Sequence, residues 1–150
     1  MKRFLLAAAM IASCAGCRVI DAGDSGFKPP PEETSEERFA ASRKLGSGIL
    51  EAFRAKDFKA LLANTPGELA SAMREADFRT SCRNFQEKFG DLADFEFLTA
   101  LETPAFDNLI WRVTFVRNGT DGRPIRRQLL FRLVTMPVDG QVQVASYGFL

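Results

Sequence analysis

The apolar residues follow a helical period in the first half of the chain and a strand period in the second half. Phe39, Ile49 and Phe53 recur at helical spacing after the capping-box position Thr34, which predicts a first helix over about residues 35–56. The later change of period to two indicates that strands follow the helices.

Two glycines, Gly46 and Gly48, interrupt the predicted first helix. Each costs roughly 1 kcal/mol relative to alanine in a helix interior. They therefore either allow close packing of the helix against a sheet or weaken the helix prediction.

Three shorter helical segments follow the first helix. Asp57 begins a short second helix, and the start signal Thr65–Glu68, with its proline at the first helical position, predicts a third that reaches about Met73. We expect Asp77 to cap a fourth helix, which Gly90 ends. The apolar stripe of this helix consists of Phe78, Cys82, Phe85 and Phe89.

Beyond Gly90, apolar and polar residues alternate in four segments. Turns at residues 118–122 and 139–140 are too short for a parallel crossover, so we predict antiparallel pairing. The face expected to be apolar carries Phe95, Phe97, Thr99, Leu101, Leu109, Trp111, Val113, Phe115, Ile125, Leu129, Phe131 and Leu133. The pattern predicts an α+β fold, in which N-terminal helices pack on one face of a four-stranded antiparallel meander sheet.

The first 17 residues have the features of a targeting segment. Lys2 and Arg3 precede an apolar run that is far shorter than the ~20 residues needed to span a bilayer. The run ends in Ile11-Ala12-Ser13-Cys14-Ala15-Gly16-Cys17, which resembles the lipobox of bacterial lipoproteins. In that family the lipobox cysteine becomes the lipidated N-terminus.

Two cysteines compete for lipidation. Cys14 follows the better aliphatic position, and Cys17 follows the commoner Ala-Gly pair, so both frames stay open with a preference for Cys14. An ordinary cleaved signal with incidental cysteines is the alternative. Neither cysteine precedes Asp, the residue that retains such lipoproteins at the inner membrane, so the resemblance implies the periplasmic face of the outer membrane.

Residues 18–33 lack apolar periodicity and contain the triplet Pro29-Pro30-Pro31. This composition is typical of an extended tether. The chain therefore divides into a signal segment (1–17), a flexible tether rich in Gly and Pro (18–33) and one α+β domain (34–150).

Helices followed by a curved antiparallel sheet resemble the nuclear transport factor two-like cone, within the cystatin-like group. Leu50–Phe58 is similar to the helix exit of small bacterial lipoproteins with this fold, and Asp139–Tyr147 is similar to their final strand. The chain has Gln143 where that family has Trp. Many such lipoproteins have no assigned activity, so the resemblance implies location and fold more than function.

Histidine is absent from the whole chain, which excludes Ser-His-Asp and Cys-His catalysis and histidine metal ligands. Two cysteines without an acidic cluster do not form a metal site, so we expect no metal and no cofactor. The net charge is +1, and we expect no nucleic-acid partner.

Cones of this fold often hold a small molecule, and some use an Asp base with a Tyr donor. The only tyrosine, Tyr147, and the only tryptophan, Trp111, are therefore candidate pocket residues, with core packing as the alternative for each. The aspartates fall at helix boundaries or turns and none on the predicted inner face, so we assign no catalytic residue. Cys82 is expected to be a small buried residue. If Cys14 is the lipidated residue, Cys17 stays free and a disulfide between Cys17 and Cys82 is conceivable.

Arg112, Arg126 and Arg132 fall on the predicted polar face of the sheet. Because arginine binds carboxylates and phosphates in a bidentate manner, this face is a candidate for binding an acidic partner, a lipid headgroup or a glycan. The alternative is a solvated face paired with Glu96 and Glu102.

We therefore expect a membrane-tethered, non-enzymatic envelope lipoprotein that binds a protein partner or small ligand. Two alternatives stay open. One is an isomerase or hydrolase of the cone type that uses Tyr147 with an acidic residue, and the other is a structural envelope protein. The sequence does not determine the oligomeric state.

Overall fold

The computed structural model describes residues 35–150, which form helices followed by a four-stranded sheet. The elements in chain order are α1 (Ser35–Ala55), α2 (Phe58–Ala63), α3 (Glu68–Ala72), α4 (Glu75–Phe89), β1 (Asp91–Glu102), β2 (Asp107–Asn118), β3 (Pro124–Val138) and β4 (Gln141–Phe149). All neighbouring strands pair antiparallel in the order β1-β2-β3-β4. The predicted fold class is thereby confirmed. The signal segment, the tether, Cys14, Cys17 and the Thr34 cap lie outside the described residues.

The inner face of the sheet, defined as the face that the helices cover, follows the predicted alternation most closely in β2 and β3. Leu109, Trp111, Val113 and Phe115 are each at most 1% exposed. They form one apolar cluster with buried residues of α1, α2, α4 and β3. Every buried apolar residue of the described part lies between Phe39 and Val144, so this part has a core of its own.

The predicted alternation is wrong at the end of β1. A β-bulge between Phe97 and Thr99 shifts the register, so Ala100 pairs with Leu109 on the inner face. Leu101, which we expected on the inner face, pairs with Asn108 and is 57% exposed. One extra residue in a strand reverses the side of every residue after it, and a single-sequence pattern does not show where that happens.

Two predicted helix starts are also wrong. Asp77 does not cap α4, because the helix begins at Glu75 after Arg74 and Asp77 lies in its first turn. Thr65 does not begin α3, because its hydroxyl donates a hydrogen bond of 2.8 Å to the Leu61 carbonyl and so closes α2. Thr65 therefore satisfies a carbonyl at the end of α2. Asp77 places a negative charge in the first turn of α4, where it complements the helix dipole.

Gly46 and Gly48 are explained by close packing. A Cβ atom on Gly46 would lie 2.2 Å from Cη2 of Trp111, and a Cβ atom on Gly48 would lie 2.0 Å from the side-chain oxygen of Asn64. The first glycine therefore lets α1 rest directly on the indole ring in the sheet.

Among the described residues, no helix is long and apolar enough to cross a membrane.

Candidate functional site

A cavity of about 390 Å³ lies between the helices and the β3–β4 side of the sheet. Residues of all four helices, of the short link before α4 and of strands β3 and β4 build its wall. The lining residues are Ile49, Leu50, Phe53, Leu61, Ala72, Met73, Arg74, Asp77, Phe78, Ser81, Phe85, Phe131, Tyr147, Gly148 and Phe149.

The interior of the cavity is mainly aromatic. Phe53 of α1, Phe85 of α4 and Phe149 of β4 contact one another, with ring centroids 4.6 Å apart for Phe85 and Phe149 and 5.4 Å apart for Phe53 and Phe149. Phe131 lies 5.4 Å from Phe149 in an edge-to-face arrangement. Aromatic edges and faces of this kind favour flat apolar groups over charged ones.

Besides Tyr147, three polar side chains lie among the lining residues: Arg74, Asp77 and Ser81. All three residues are exposed, which places them where the cavity meets solvent. Because α4 begins at Glu75, Asp77 and Ser81 are separated by one helical turn and share a face of the helix. The mouth of the cavity therefore carries one cation, one carboxylate and one hydroxyl.

Tyr147 lines the same cavity from β4. Its hydroxyl lies 3.7 Å from Sδ of Met73, to which it donates a weak hydrogen bond. Burial raises the pKa of Tyr147 from 10.0 to about 12, while the Thr65 side chain opposes the shift. The phenol is therefore protonated at neutral pH and acts as a hydrogen-bond donor rather than a base.

Trp111 packs in the core and does not line this cavity. Its ring is 1% exposed and lies 5.3 Å from the ring of Phe97 and 5.9 Å from that of Phe131. Of the two candidate pocket residues, the structure thus brings Tyr147 to the cavity and leaves Trp111 outside its wall.

The expectation that no aspartate falls on the inner face is wrong. Asp107, expected in a turn, is the first residue of β2, pairs with Thr135 and is 6% exposed. Asp77, expected at a helix boundary, lines the cavity beside Arg74. Sequence reasoning missed Arg74 and Ser81 altogether, although Asp77 and Ser81 border the apolar stripe of α4 at helical spacing.

Cys82 is buried on α4, as its place in the apolar stripe predicts, with 4% of its surface exposed. Burial raises the pKa of its thiol, and the charge of Lys56 works in the opposite direction. A thiol that burial keeps protonated is a poor nucleophile.

Arg112, Arg126 and Arg132 lie on the outer face of the sheet, which we define as the face opposite the helices. Their register partners Leu130, Val116 and Ile110 lie on the same face. All three arginines are exposed, and Arg112 forms an ion pair with Glu96 of β1. The structure thus places these three on one face, away from the cavity, with Arg126 and Arg132 six residues apart along β3.

Neither a protein-family model nor a curated protein sequence matches this chain. Among solved structures, a SEC-C motif containing protein from Rhodopseudomonas palustris matches with a TM-score of 0.53 and 17% identity, over 77% of this chain and 84% of its own. Aln2 from a Streptomyces species matches with a TM-score of 0.50 and 14% identity, over 81% and 91% of the two chains.

A third solved structure, from Streptomyces avermitilis, is described as an NTF2-like family protein and provisionally as a dehydratase. It matches with a TM-score of 0.50 and 9% identity, over 76% of this chain and 95% of its own. Identities this low show a shared fold and leave the activity open. The chain has the α+β cone fold of NTF2-like proteins.

Proposed function

We propose that this protein is a membrane-tethered envelope module that binds a small, mainly apolar ligand in the cavity beside Tyr147. The cavity is the observation that carries the proposal. Its volume of about 390 Å³ lies within the range of small-molecule sites, and its wall combines an apolar interior with a few polar groups.

The lining residues indicate the chemistry of the ligand. Five phenylalanine rings favour a flat apolar body, and the protonated Tyr147 hydroxyl favours a hydrogen-bond acceptor on it. Arg74 at the mouth favours an anionic group that stays near solvent. We therefore expect an aromatic or polycyclic molecule that carries a carbonyl and an acidic group.

The tether in this proposal comes from the N-terminal sequence. Cys14 or Cys17 would carry the lipid, and residues 18–33 would hold the domain away from the membrane. Mass spectrometry of the processed N-terminus tests this part separately. An acylated Cys14 or Cys17 is the expected result, and an unacylated first residue would contradict the tether without affecting the cavity.

The cavity itself is tested by titration with anilinonaphthalene sulfonate, an aromatic anion that fits the expected chemistry. Ser81→Phe places a ring in the mouth of the cavity, and Thr80→Phe, at the neighbouring exposed position that does not line the cavity, is the matched control. We expect dye binding to the wild type and to Thr80→Phe and at least tenfold weaker binding to Ser81→Phe. Equal binding to all three proteins would show that the dye binds elsewhere.

An enzyme that uses Tyr147 with Asp77 is the second candidate. The two residues line one cavity, and the protonated phenol could donate a proton while the carboxylate accepts one. Turnover of a bound ligand that Tyr147→Phe and Asp77→Asn each abolish, without loss of binding, would favour this function. Binding without turnover in the wild type would favour the binding module.

A further inference from the structure

The two edge strands of the sheet differ in how regular their free edges are. β1 has two register shifts, one after Leu92 and one after Phe97. Bulges of this kind interrupt the row of backbone groups that another strand would need. β4 is the other edge strand, and residues 146–149 pair with β3 without a shift. The regular edge of the sheet is therefore the last part of β4.

The backbone N–H and C=O groups of Tyr147 and Phe149 point away from β3. The Leu150 amide donates a hydrogen bond of 2.8 Å to the Leu130 carbonyl, which sets the alternation along this part of β4. Because successive residues of an edge strand turn their backbone groups to opposite sides, Gly148 faces β3 while Tyr147 and Phe149 face outward. Within residues 35–150, no backbone hydrogen bond satisfies Tyr147 or Phe149 on that side.

Val144 shows that β4 can take a partner on its outward side. Its amide donates a hydrogen bond of 2.8 Å to the carbonyl of Pro66, which lies in the link between α2 and α3. The chain thus covers one outward amide of β4 and leaves the following ones uncovered. We call residues 147–149 the open edge, and its backbone groups suit an extended chain.

The outer face beside the open edge favours an acidic partner. Gly148 pairs with Arg132, and a Cβ atom on Gly148 would meet nothing within 4 Å. Arg132 is exposed and forms no ion pair with any other residue of the described range 35–150. A strand added to β4 would lie about 10 Å from β3, a distance that an arginine and a carboxylate side chain span together. An acidic residue opposite Gly148 could therefore pair with Arg132.

The inner face beside the open edge favours apolar neighbours. The side chains of Tyr147 and Phe149 both line the apolar cavity. Residues of an added strand that lie opposite them would point to the same face, at the rim of that cavity. Apolar side chains there would continue the inner face, so the segment that fits alternates apolar and acidic residues.

We propose that the open edge binds an extended segment of a partner protein as a fifth, antiparallel strand. Apolar residues of that segment lie opposite Tyr147 and Phe149, and the acidic residue between them pairs with Arg132 across Gly148. A second copy of β4 in this place would offer Gly148 instead of an acid, so charge favours a different chain. The inference goes beyond the proposed function, because it needs no small ligand in the cavity.

Fluorescence anisotropy with the labelled peptide Ser-Thr-Val-Asp-Val-Thr-Ser tests the backbone part of the proposal. We expect it to bind the wild type. Methylation of both valine amides removes the donors that face β4 and should weaken binding at least tenfold, whereas methylation of the aspartate and last threonine amides, which face away, should not. No binding of the unmodified peptide, or equal binding of the two methylated peptides, would overturn the proposal.

Charge exchange tests the contact with Arg132. Arg132→Glu should bind the aspartate peptide at least tenfold more weakly and should recover binding when lysine replaces the aspartate. Arg126→Glu is the matched control, since Arg126 is exposed on the same face of β3 but six residues away. Folded Arg132→Glu that binds both peptides as the wild type does would overturn the charge contact. Self-association of the wild type that the peptide disrupts would assign the open edge to a second copy instead.

The outcome for the open edge can be separated from that for the cavity. The peptide carries no aromatic ring and binds beside the cavity, whereas the dye titration reports on the cavity itself. Dye binding without peptide binding would overturn this inference alone, and peptide binding without dye binding would overturn the ligand cavity alone.

Discussion

The Ser42 hydroxyl of α1 lies 2.9 Å from the Thr135 hydroxyl of β3, and this hydrogen bond joins the first helix to the inner face of the sheet. Both residues are almost fully buried, with 0% and 1% of their surface exposed. Because apolar packing is not directional, a buried polar pair fixes the position of α1 along β3 in a way that the surrounding side chains do not.

Thr135→Val is expected to destabilise the protein by about 1–3 kcal/mol, because it leaves the Ser42 hydroxyl buried without this partner. The double variant, Thr135→Val with Ser42→Ala, should lose much less unfolding free energy than the sum of the losses in the two single variants. The reason is that no unpaired hydroxyl then remains at this contact. Chemical denaturation of the wild type, both single variants and the double variant measures the coupling. Strictly additive effects would show that the hydrogen bond contributes nothing of its own.

Gly46→Ala is expected to lower the free energy of unfolding by about 1–3 kcal/mol despite the better helix propensity of alanine. The added methyl group would lie 2.2 Å from the Trp111 ring, so α1 would have to move away from the sheet. Gly148→Ala is the control, because a Cβ atom there meets nothing within 4 Å. Equal stability of Gly46→Ala and the wild type in chemical denaturation would contradict the close contact.

Tyr147 is the only tyrosine of the chain, so its ionisation can be followed directly by ultraviolet absorbance. The folded protein should titrate near pH 12, and the urea-unfolded protein near pH 10.0. Since the folded state holds this proton more tightly, the contribution of Tyr147 to stability should be constant below about pH 10 and fall as pH rises from 10 towards 12. Tyr147→Phe should remove that contribution, and a folded-state titration near 10 would contradict the burial of the phenol.

The element order and the inner face of β2 and β3 follow from the sequence because apolar spacing reports burial directly. Leu101 shows where this reasoning fails, because a bulge after Phe97 moves it outward without any change in the sequence pattern. Thr65 shows a second limit: its hydroxyl donates to the Leu61 carbonyl four residues earlier, whereas the capping pattern predicts a bond to a backbone amide that follows it. Local patterns predict periodicity well and the competition between alternative hydrogen bonds poorly.

The candidate site was only partly predictable for a different reason. Tyr147 could be singled out because it is unique and lies in the last strand. Arg74, Asp77 and Ser81 line the cavity because α4, which begins at Glu75, packs against β1 and β2 and places Phe85 against Phe149 of β4. The cavity depends on how closely these elements approach one another, which is a property of packing rather than of any residue.

Whether the cavity beside Tyr147 is a ligand site can be measured by native mass spectrometry of the protein recovered from its own cells. The wild type and Thr80→Phe should carry a small-molecule mass adduct that Ser81→Phe lacks, because the added ring occupies the mouth of the cavity. Tandem dissociation of that adduct would give its mass and composition. An adduct retained equally by Ser81→Phe, or the absence of any adduct from all three proteins, would show that the cavity is not a ligand site.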